Sequence, residues 1–285
     1  IKMINYNNII VLLLLVFVSS MTVMSAGVPD DSSFYLFRRS PEKCYNANTC
    51  IKYLLWEINS SKNDSEVVDF VFDKTFGNRS LVEHAQENTV VVQGYYMTVV
   101  ESGHAISRFK VMHAFALMPL PPSIRPRGMF YTISKQLTCA KPPCKGYTGA
   151  ILNNKRAISI QGLNMSSYSS LLLDNAWLNA RILSGNALVR ADVNSKGQSF
   201  VKGIYMKLED TVASSCKSVE KIACAASHVQ VYKRDVNRCL VSDGCAKQLL
   251  NAVKSPKCSS GYRLVSFATQ PGGAIKYYCD PSFIH

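Results

Sequence analysis

The feature that most constrains this chain is that it repeats itself. Phe37-Arg-Arg-Ser-Pro-Glu-Lys-Cys44 lies over Tyr232-Lys-Arg-Asp-Val-Asn-Arg-Cys239, aromatic on aromatic, two cations on two cations and basic-Cys on basic-Cys. Cys50 then falls on Cys245 without a gap, Lys52 on Lys247, and Leu54 and Leu55 on Leu249 and Leu250. Between them a further copy starts at Phe130-Tyr131, as Phe34-Tyr35 starts the first, and reaches Cys139-Ala-Lys-Pro-Pro-Cys144. It places Tyr147 where Tyr53 stands after Cys50. Each copy therefore reads as an aromatic strand, a loop closed by two cysteines, and an apolar exit.

The segments beyond the loop recur as well. Tyr53 to Ile58 and Tyr147 to Leu152 read as returning strands, whereas Ala246 to Val253 in the third copy reads as a short helix. Glu66 to Phe76 has helical spacing, but its β-branched residues leave strand open. Leu171 to Leu183, preceded by Ser166 or Ser167 and ended by Gly185, predicts an amphipathic helix. Val90 to Val100 then turns at Glu101–His104 into Phe109, Val111, Phe115 and Leu117 on one face, with His113 expected in the core. Ala187 to Val193 turns at Asn194–Gly197 into Phe200, Ile204, Met206 and Leu208. Period-two alternation of this kind marks half-buried antiparallel strands.

The expected fold is mainly β (α+β): duplicated antiparallel modules at 32–118 and 129–210, each with one short helix. A proline-rich linker at 119–128 separates them. A third cysteine-rich unit at 211–285 holds six of the ten cysteines, a crowding expected of a subdomain too small to rely on its own core.

Residues 1–26 have the form of a secretory signal peptide. The apolar run Ile9 to Val18 is too short to span a bilayer, and no second apolar run of membrane length occurs after it. Ten cysteines agree with export, and five bridges are expected: Cys44–Cys50, Cys139–Cys144, Cys239–Cys245, Cys216–Cys224 and Cys258–Cys279. Zinc fits poorly, because only Cys139 and Cys144 have knuckle spacing and no histidine pair completes a site. Four sequons, at Asn59, Asn63, Asn78 and Asn164, predict at least one attached glycan.

No catalytic signature occurs: no nucleophile elbow, zinc-protease helix, phosphate loop or dinucleotide fingerprint, so neither enzyme activity nor a cofactor or metal is expected. Asp69 with Asp73 reads as a solvated face and Glu209 with Asp210 as a strand end. The net charge of +13 draws an exported protein toward acidic polysaccharide or an acidic protein surface rather than nucleic acid. Cations cluster beside the cysteine loops, and Arg38, Arg39, Lys43, Lys141, Lys145, Lys233, Arg234 and Arg238 are the candidate binding residues. The expectation is a cell-surface or extracellular binding or structural protein. The alternatives are a protease inhibitor displaying Lys141-Pro-Pro or Lys145, and a hydrolase with dispersed carboxylates.

At Cys139-Ala-Lys-Pro-Pro-Cys-Lys-Gly-Tyr147, after Phe130-Tyr131, the chain resembles a family of exported bacterial and amoebal proteins of unknown function. Their shared pattern is an aromatic strand, a Cys-loop-Pro-Cys-Gly-Tyr turn and a returning strand. The first copy departs from it with Asn-Thr before Cys50, and the third lacks Gly-Tyr. The resemblance implies export and a β-rich fold and carries no functional site.

Overall fold

A computed structural model describes residues 32–41, 50–74, 76–101, 103–136, 146–169, 171–208, 216–235, 237–249 and 254–284. The signal segment 1–26 lies outside these residues. The first half runs β1 (Ser33–Arg39), β2 (Tyr53–Glu57), β3 (Ser65–Val67), β4 (Asp69–Phe72), α1 (Arg79–Glu83), β5 (Val90–Glu101) and β6 (His104–Leu117). The second repeats the series as β7 (Met129–Lys135), β8 (Tyr147–Ile151), β9 (Ala157–Ile160), β10 (Gly162–Asn164), α2 (Asn175–Leu183), β11 (Ala187–Val193) and β12 (Gln198–Lys207). Glu66 to Phe72 is strand and not helix, as its β-branched valines favour.

Both halves share one 12-stranded sheet in the order β3-β2-β1-β5-β6-β12-β11-β7-β8-β9, with β4 added parallel to β6 and β10 parallel to β12. The order is a palindrome of equivalent strands. Its centre is the pair Ala116↔Met206, flanked by Leu117↔Tyr205 and Phe115↔Lys207. The same two residues open the inner hairpins, as Val90↔Ala116 and Ala187↔Met206. Register therefore establishes the duplication independently of residue identity, and a pseudo-dyad passes through the β6–β12 pair.

Even an irregularity is duplicated. The ladder of β5 and β6 shifts at Gln93/Gly94, and that of β11 and β12 shifts at the equivalent Arg190/Ala191. A bulge reverses which side chains face inward. Phe109 and Val111 thus share the first half's core with Ala114 and Ala116, while Phe115 packs on the opposite face. The expected single face of Phe109, Val111, Phe115 and Leu117 is divided by this bulge, and His113 beside it is half-buried rather than a core residue.

Each half encloses its own core. In the first, Phe37, Tyr53 and Phe70 are grouped edge-on or stacked over Val67, Val82 and Phe109. In the second, Trp177, Leu178 and Ile182 of α2 cover Ile133, Val189 and Ile204 of the sheet. The helix starts later than Leu171, where the Asp174 carboxylate accepts the Trp177 N–H at 3.2 Å as N-cap. It ends in a Schellman motif: Gly185 at φ +75° lets Gly185 N–H reach Ile182 O and Asn186 N–H reach Arg181 O. A third core lies across the dyad, where Phe130, Leu152, Leu188 and Tyr205 meet Leu36, Ile58, Val91 and Phe115.

Two asparagines close this central core reciprocally. Asn59 Nδ2 donates to the carbonyls of Phe130 and Leu152 (2.9 and 3.2 Å), and its Oδ1 accepts the Phe130 N–H (3.0 Å). Asn153 Nδ2 donates to the carbonyls of Phe34 and Ile58 (2.7 and 3.1 Å), and its Oδ1 accepts the Phe34 N–H (2.8 Å). Both sit in the left-handed region, at φ 57° and 56°, which asparagine tolerates better than most residues. Each half thus uses its own hairpin end to tie down the other's.

The proline-rich 119–128 segment is held to the protein. Met118 N–H bonds Ile204 O, Pro119 O accepts the Tyr262 hydroxyl at 2.7 Å, and Gly128 O accepts Arg190 Nε at 3.2 Å. Beyond the sheet, β13 (His228–Arg234) pairs with β14 (Leu240–Lys247), and β15 (Tyr262–Ala268) with β16 (Ile275–Pro281), as two hairpins.

Three bridges are defined in this unit: Cys216–Cys239, Cys224–Cys245 and Cys258–Cys279. The last is as expected, whereas Cys239–Cys245 and Cys216–Cys224 are corrected. Cys239 directly precedes β14 and Cys245 lies within it, so an extended chain holds them about 20 Å apart, far beyond disulfide reach. Instead the 216–224 segment lies along β14 and is stapled to it twice. Gln230 assists, donating Nε2 to Glu220 O at 2.6 Å. Ala246 and Lys247 are strand and not helix, but this strand already begins directly after Cys239 and its cysteines are bridged elsewhere, so the third copy has no loop closed between Cys239 and Cys245. Cys50 is disulfide-bonded, while Cys44, Cys139 and Cys144 fall outside the described residues.

Candidate functional site

The strands that flank the first two cysteine loops point in different directions. From β1 to β7 the sheet takes five antiparallel steps (β1-β5-β6-β12-β11-β7), so β1 and β7 run oppositely. The hairpin ends at Phe34 and Phe130 meet at the dyad through Asn153 and Asn59. The other ends, Arg39/Tyr53 and Lys135/Tyr147, therefore lead away from it on opposite sides. Arg38 and Arg39 at the end of β1 and Lys135 at the end of β7 accordingly lie on opposite sides of the dyad.

Individually, the expected basic residues divide into three groups. Lys43, Lys141 and Lys145 lie outside the described residues. Arg38, Arg39 and Lys233 are exposed but have partners: Arg38 pairs with Asp64 at 3.5 Å, Arg39 donates twice to the Glu83 carbonyl at the end of α1, and Lys233 pairs with Asp243.

Arg234 is buried, which does not suit a ligand contact, and Arg238 is half-buried beside it. The Arg234 side chain is 4% exposed; Nη1 and Nη2 grip Asp280 at 2.8 and 3.0 Å, and Nε reaches Asp174 at 3.0 Å. Its guanidinium stands 4.6 Å from the Tyr278 ring centroid. Burial pulls its pKa down, but the bonds and charge of Asp280 and then Asp174 outweigh this and leave it raised. Arg238 is 3.7 Å from Asp280 and stands over the Trp177 ring. Since Asp174 also caps α2, this cluster is the bolt between the C-terminal unit and the second half. No local sequence signal marks it, because its members come from three distant segments.

The acidic pairs read as a solvated face and a strand end are placed as follows. Asp69 pairs with Lys52 at 3.0 Å and Asp73 with Lys110, while Glu209 and Asp210 lie outside the described residues. Among the described residues, no group of three or more His, Cys, Asp or Glu is arranged to hold a metal ion. No described helix is long and apolar enough to cross a membrane.

Exposed positive charge is concentrated in the C-terminal unit instead. Between Cys216 and Ile284 there are ten Lys or Arg against four Asp or Glu. Lys217, Lys221, Lys247, Lys254 and Lys257 are exposed and form no ion pair with a described carboxylate.

The second half carries a different feature, missed in the sequence. A groove of ≈ 680 Å³ runs between α2 and β10, lined by Tyr147, Gln161, Ser169, Asn175 and Asn179 above Leu163, Met165 and Leu178. Among the described residues, no lining side chain is charged. Beneath it the buried Tyr168 hydroxyl accepts the Ile204 N–H at 3.0 Å, and burial pushes its pKa up.

The sequons also differ. Asn59 uses both Nδ2 hydrogens in the clamp, and a glycan there would replace one of them. Asn164 is exposed and only its Oδ1 is occupied, by the Ser166 N–H at 3.0 Å. Asn63 is exposed and Asn78 half-buried.

The fold thus defines a disulfide-bonded, internally duplicated β protein with a basic C-terminal unit. No family model matches it, and no solved structure does. It is similar to an uncharacterised protein of Dictyostelium discoideum, 24% identical over 279 residues, which covers 96% of this chain and 94% of that one. The similarity runs through both halves and the C-terminal unit.

Proposed function

We propose that this chain is an exported binding or structural protein of the cell surface or extracellular matrix, engaging acidic glycans or acidic protein surfaces through its C-terminal unit. The supporting observation is the group of five exposed lysines, Lys217, Lys221, Lys247, Lys254 and Lys257, without described acidic partners. Disulfide staples hold the backbone beneath Lys217, Lys221 and Lys247, so ordering it costs little on binding. Disulfides of this density belong to oxidising compartments, which supports export. This reading places the contact surface on this unit rather than on the cysteine loops, because Arg234 is buried and Arg238 packs beside it against Asp280 and Trp177.

Heparin-column retention tests it. A variant with these five lysines changed to Gln is expected to elute at clearly lower salt. A control losing the same charge at exposed Lys74, Arg125, Lys155, Arg156 and Lys196 is expected to elute near the parent. Equal loss in the two variants would reduce the effect to generic charge and remove the proposed site.

A further inference from the structure

We propose that the α2–β10 groove of the second half is a binding site for a neutral, hydroxyl-rich saccharide, separate from the basic surface of the C-terminal unit. The lining matches such a ligand. In a protein of net charge +13 the described residues of the groove walls carry no charged side chain, only amides, hydroxyls and short apolar stretches. Its ≈ 680 Å³ falls within the range of about 300–1,000 Å³ usual for small-ligand sites.

Ser169 Oγ donates to the Ser166 carbonyl at 2.9 Å, whereas the amides of the groove are uncommitted. Elsewhere amides serve the backbone: Asn59 and Asn153 clamp the halves, Asn194 closes a turn, and Gln230 holds the stapled segment. The side-chain amides of Gln161, Asn175 and Asn179 make no hydrogen bond to a described residue. Asn175 and Asn179 are four residues apart on α2 and so present both amides on one flank. Each amide offers donors and an acceptor together, matching a sugar hydroxyl that is both, whereas a carboxylate or sulfate would find no cation among the described lining residues. The Tyr147 ring and Leu163 supply apolar surface for the C–H face of a pyranose.

Gly162 stands at the rim, shared with a smaller groove containing Asn164, Gln198 and the exposed Phe200. A Cβ built at Gly162 meets nothing within 4 Å, so the missing side chain leaves the groove open without serving internal packing. The helical wall belongs to the second half's own elaboration. There α2 has nine residues where α1 has five, so the two halves have diverged at this element.

The same chemistry has two sources, a saccharide from outside or the chain's own glycan on Asn164. The experiment separates them by using wild-type protein from a glycosylating host beside Asn164→Gln, both probed with neutral chitin-, mannan- and cellulose-derived oligosaccharides and with heparin fragments. Saturable binding of a neutral oligosaccharide, unchanged between about 50 and about 500 mM salt, is expected. Binding by both proteins identifies an external ligand, and binding only by Asn164→Gln identifies the chain's own glycan as the occupant. Asn175→Ala/Asn179→Ala and Gly162→Phe should each weaken it by about tenfold or more while thermal midpoints stay near that of the parent. Failure of every neutral oligosaccharide to bind both proteins, or binding that survives Gly162→Phe, would overturn the site. Heparin retention would stand either way, so this failure is distinguishable from failure of the basic-surface reading.

Discussion

Asn153 offers the sharpest test of how the two halves are joined. Its side chain makes three hydrogen bonds to backbone of the opposite half, at 2.7 to 3.1 Å. At about 1 kcal/mol net for each bond, Asn153→Gly should cost about 3 kcal/mol. Phe34 O keeps the Ile58 N–H at 3.0 Å, so most of the loss falls on the Phe34 N–H and the Ile58 carbonyl. Glycine keeps the left-handed backbone at φ 56°; Asn153→Ala does not, and should cost about 1 kcal/mol more. Urea unfolding of the unreduced protein gives these differences, and Trp56, partly buried in the central core, reports fluorescence from the joint itself. Asn59→Gly should behave alike by pseudo-symmetry. If Asn153→Gly lies within about 0.5 kcal/mol of the parent, the clamp holds nothing and reciprocal closure is wrong.

The same geometry has other consequences. Arg234→Met should destabilise by about 3–5 kcal/mol, because it strands Asp174 and Asp280 in the interior; an unchanged urea midpoint would refute the buried bolt. Non-reducing peptide mapping should recover Cys216–Cys239 and Cys224–Cys245, and replacing both Cys258 and Cys279 by Ser should cost about 3 kcal/mol for a loop of this length. Ser61→Ala removes the Asn59 sequon without touching the clamp, and mass spectrometry of secreted protein should find glycan occupancy unchanged. Burial, first of all, pushes Tyr53 up to about 12. Its folded pKa exceeds the unfolded 10.0, so this stabilisation is complete below pH 10 and is lost as pH rises toward 12. Alkaline absorbance titration compared with Tyr53→Phe should find this phenol ionising late, and ionisation near pH 10 in the folded protein would contradict its burial.

Much of the β architecture is local and was legible as such. Alternation along Val90–Val100 and Ala187–Val193, with turn residues at Gly103 and Gly197, specifies antiparallel hairpins because strand geometry has period two. The likeness of Phe34-Tyr35 to Phe130-Tyr131 and of Tyr53 to Tyr147 anticipates equivalent register positions, since a duplicated strand inherits its pairing. The candidate site was not legible in the same way. Lys233-Arg234 reads as one basic pair, yet alternation puts Lys233 in solvent and Arg234 against Asp174 and Asp280. The groove amides are separated by the whole of α2's approach and meet only when the helix packs.

By itself, then, the sequence determined a duplicated, cysteine-rich β chain of strongly positive charge, because those properties reside in composition and in spacing over a few residues. Tertiary structure decided that the first two copies share one sheet about a dyad at Ala116 and Met206, and that the third forms a separate hairpin whose two cysteines are not bridged to each other. It also decided which cysteines meet and which cations remain in water. Those outcomes depend on contacts between segments far apart in the chain, where a bulge of one residue or the direction of one strand reverses what a side chain faces.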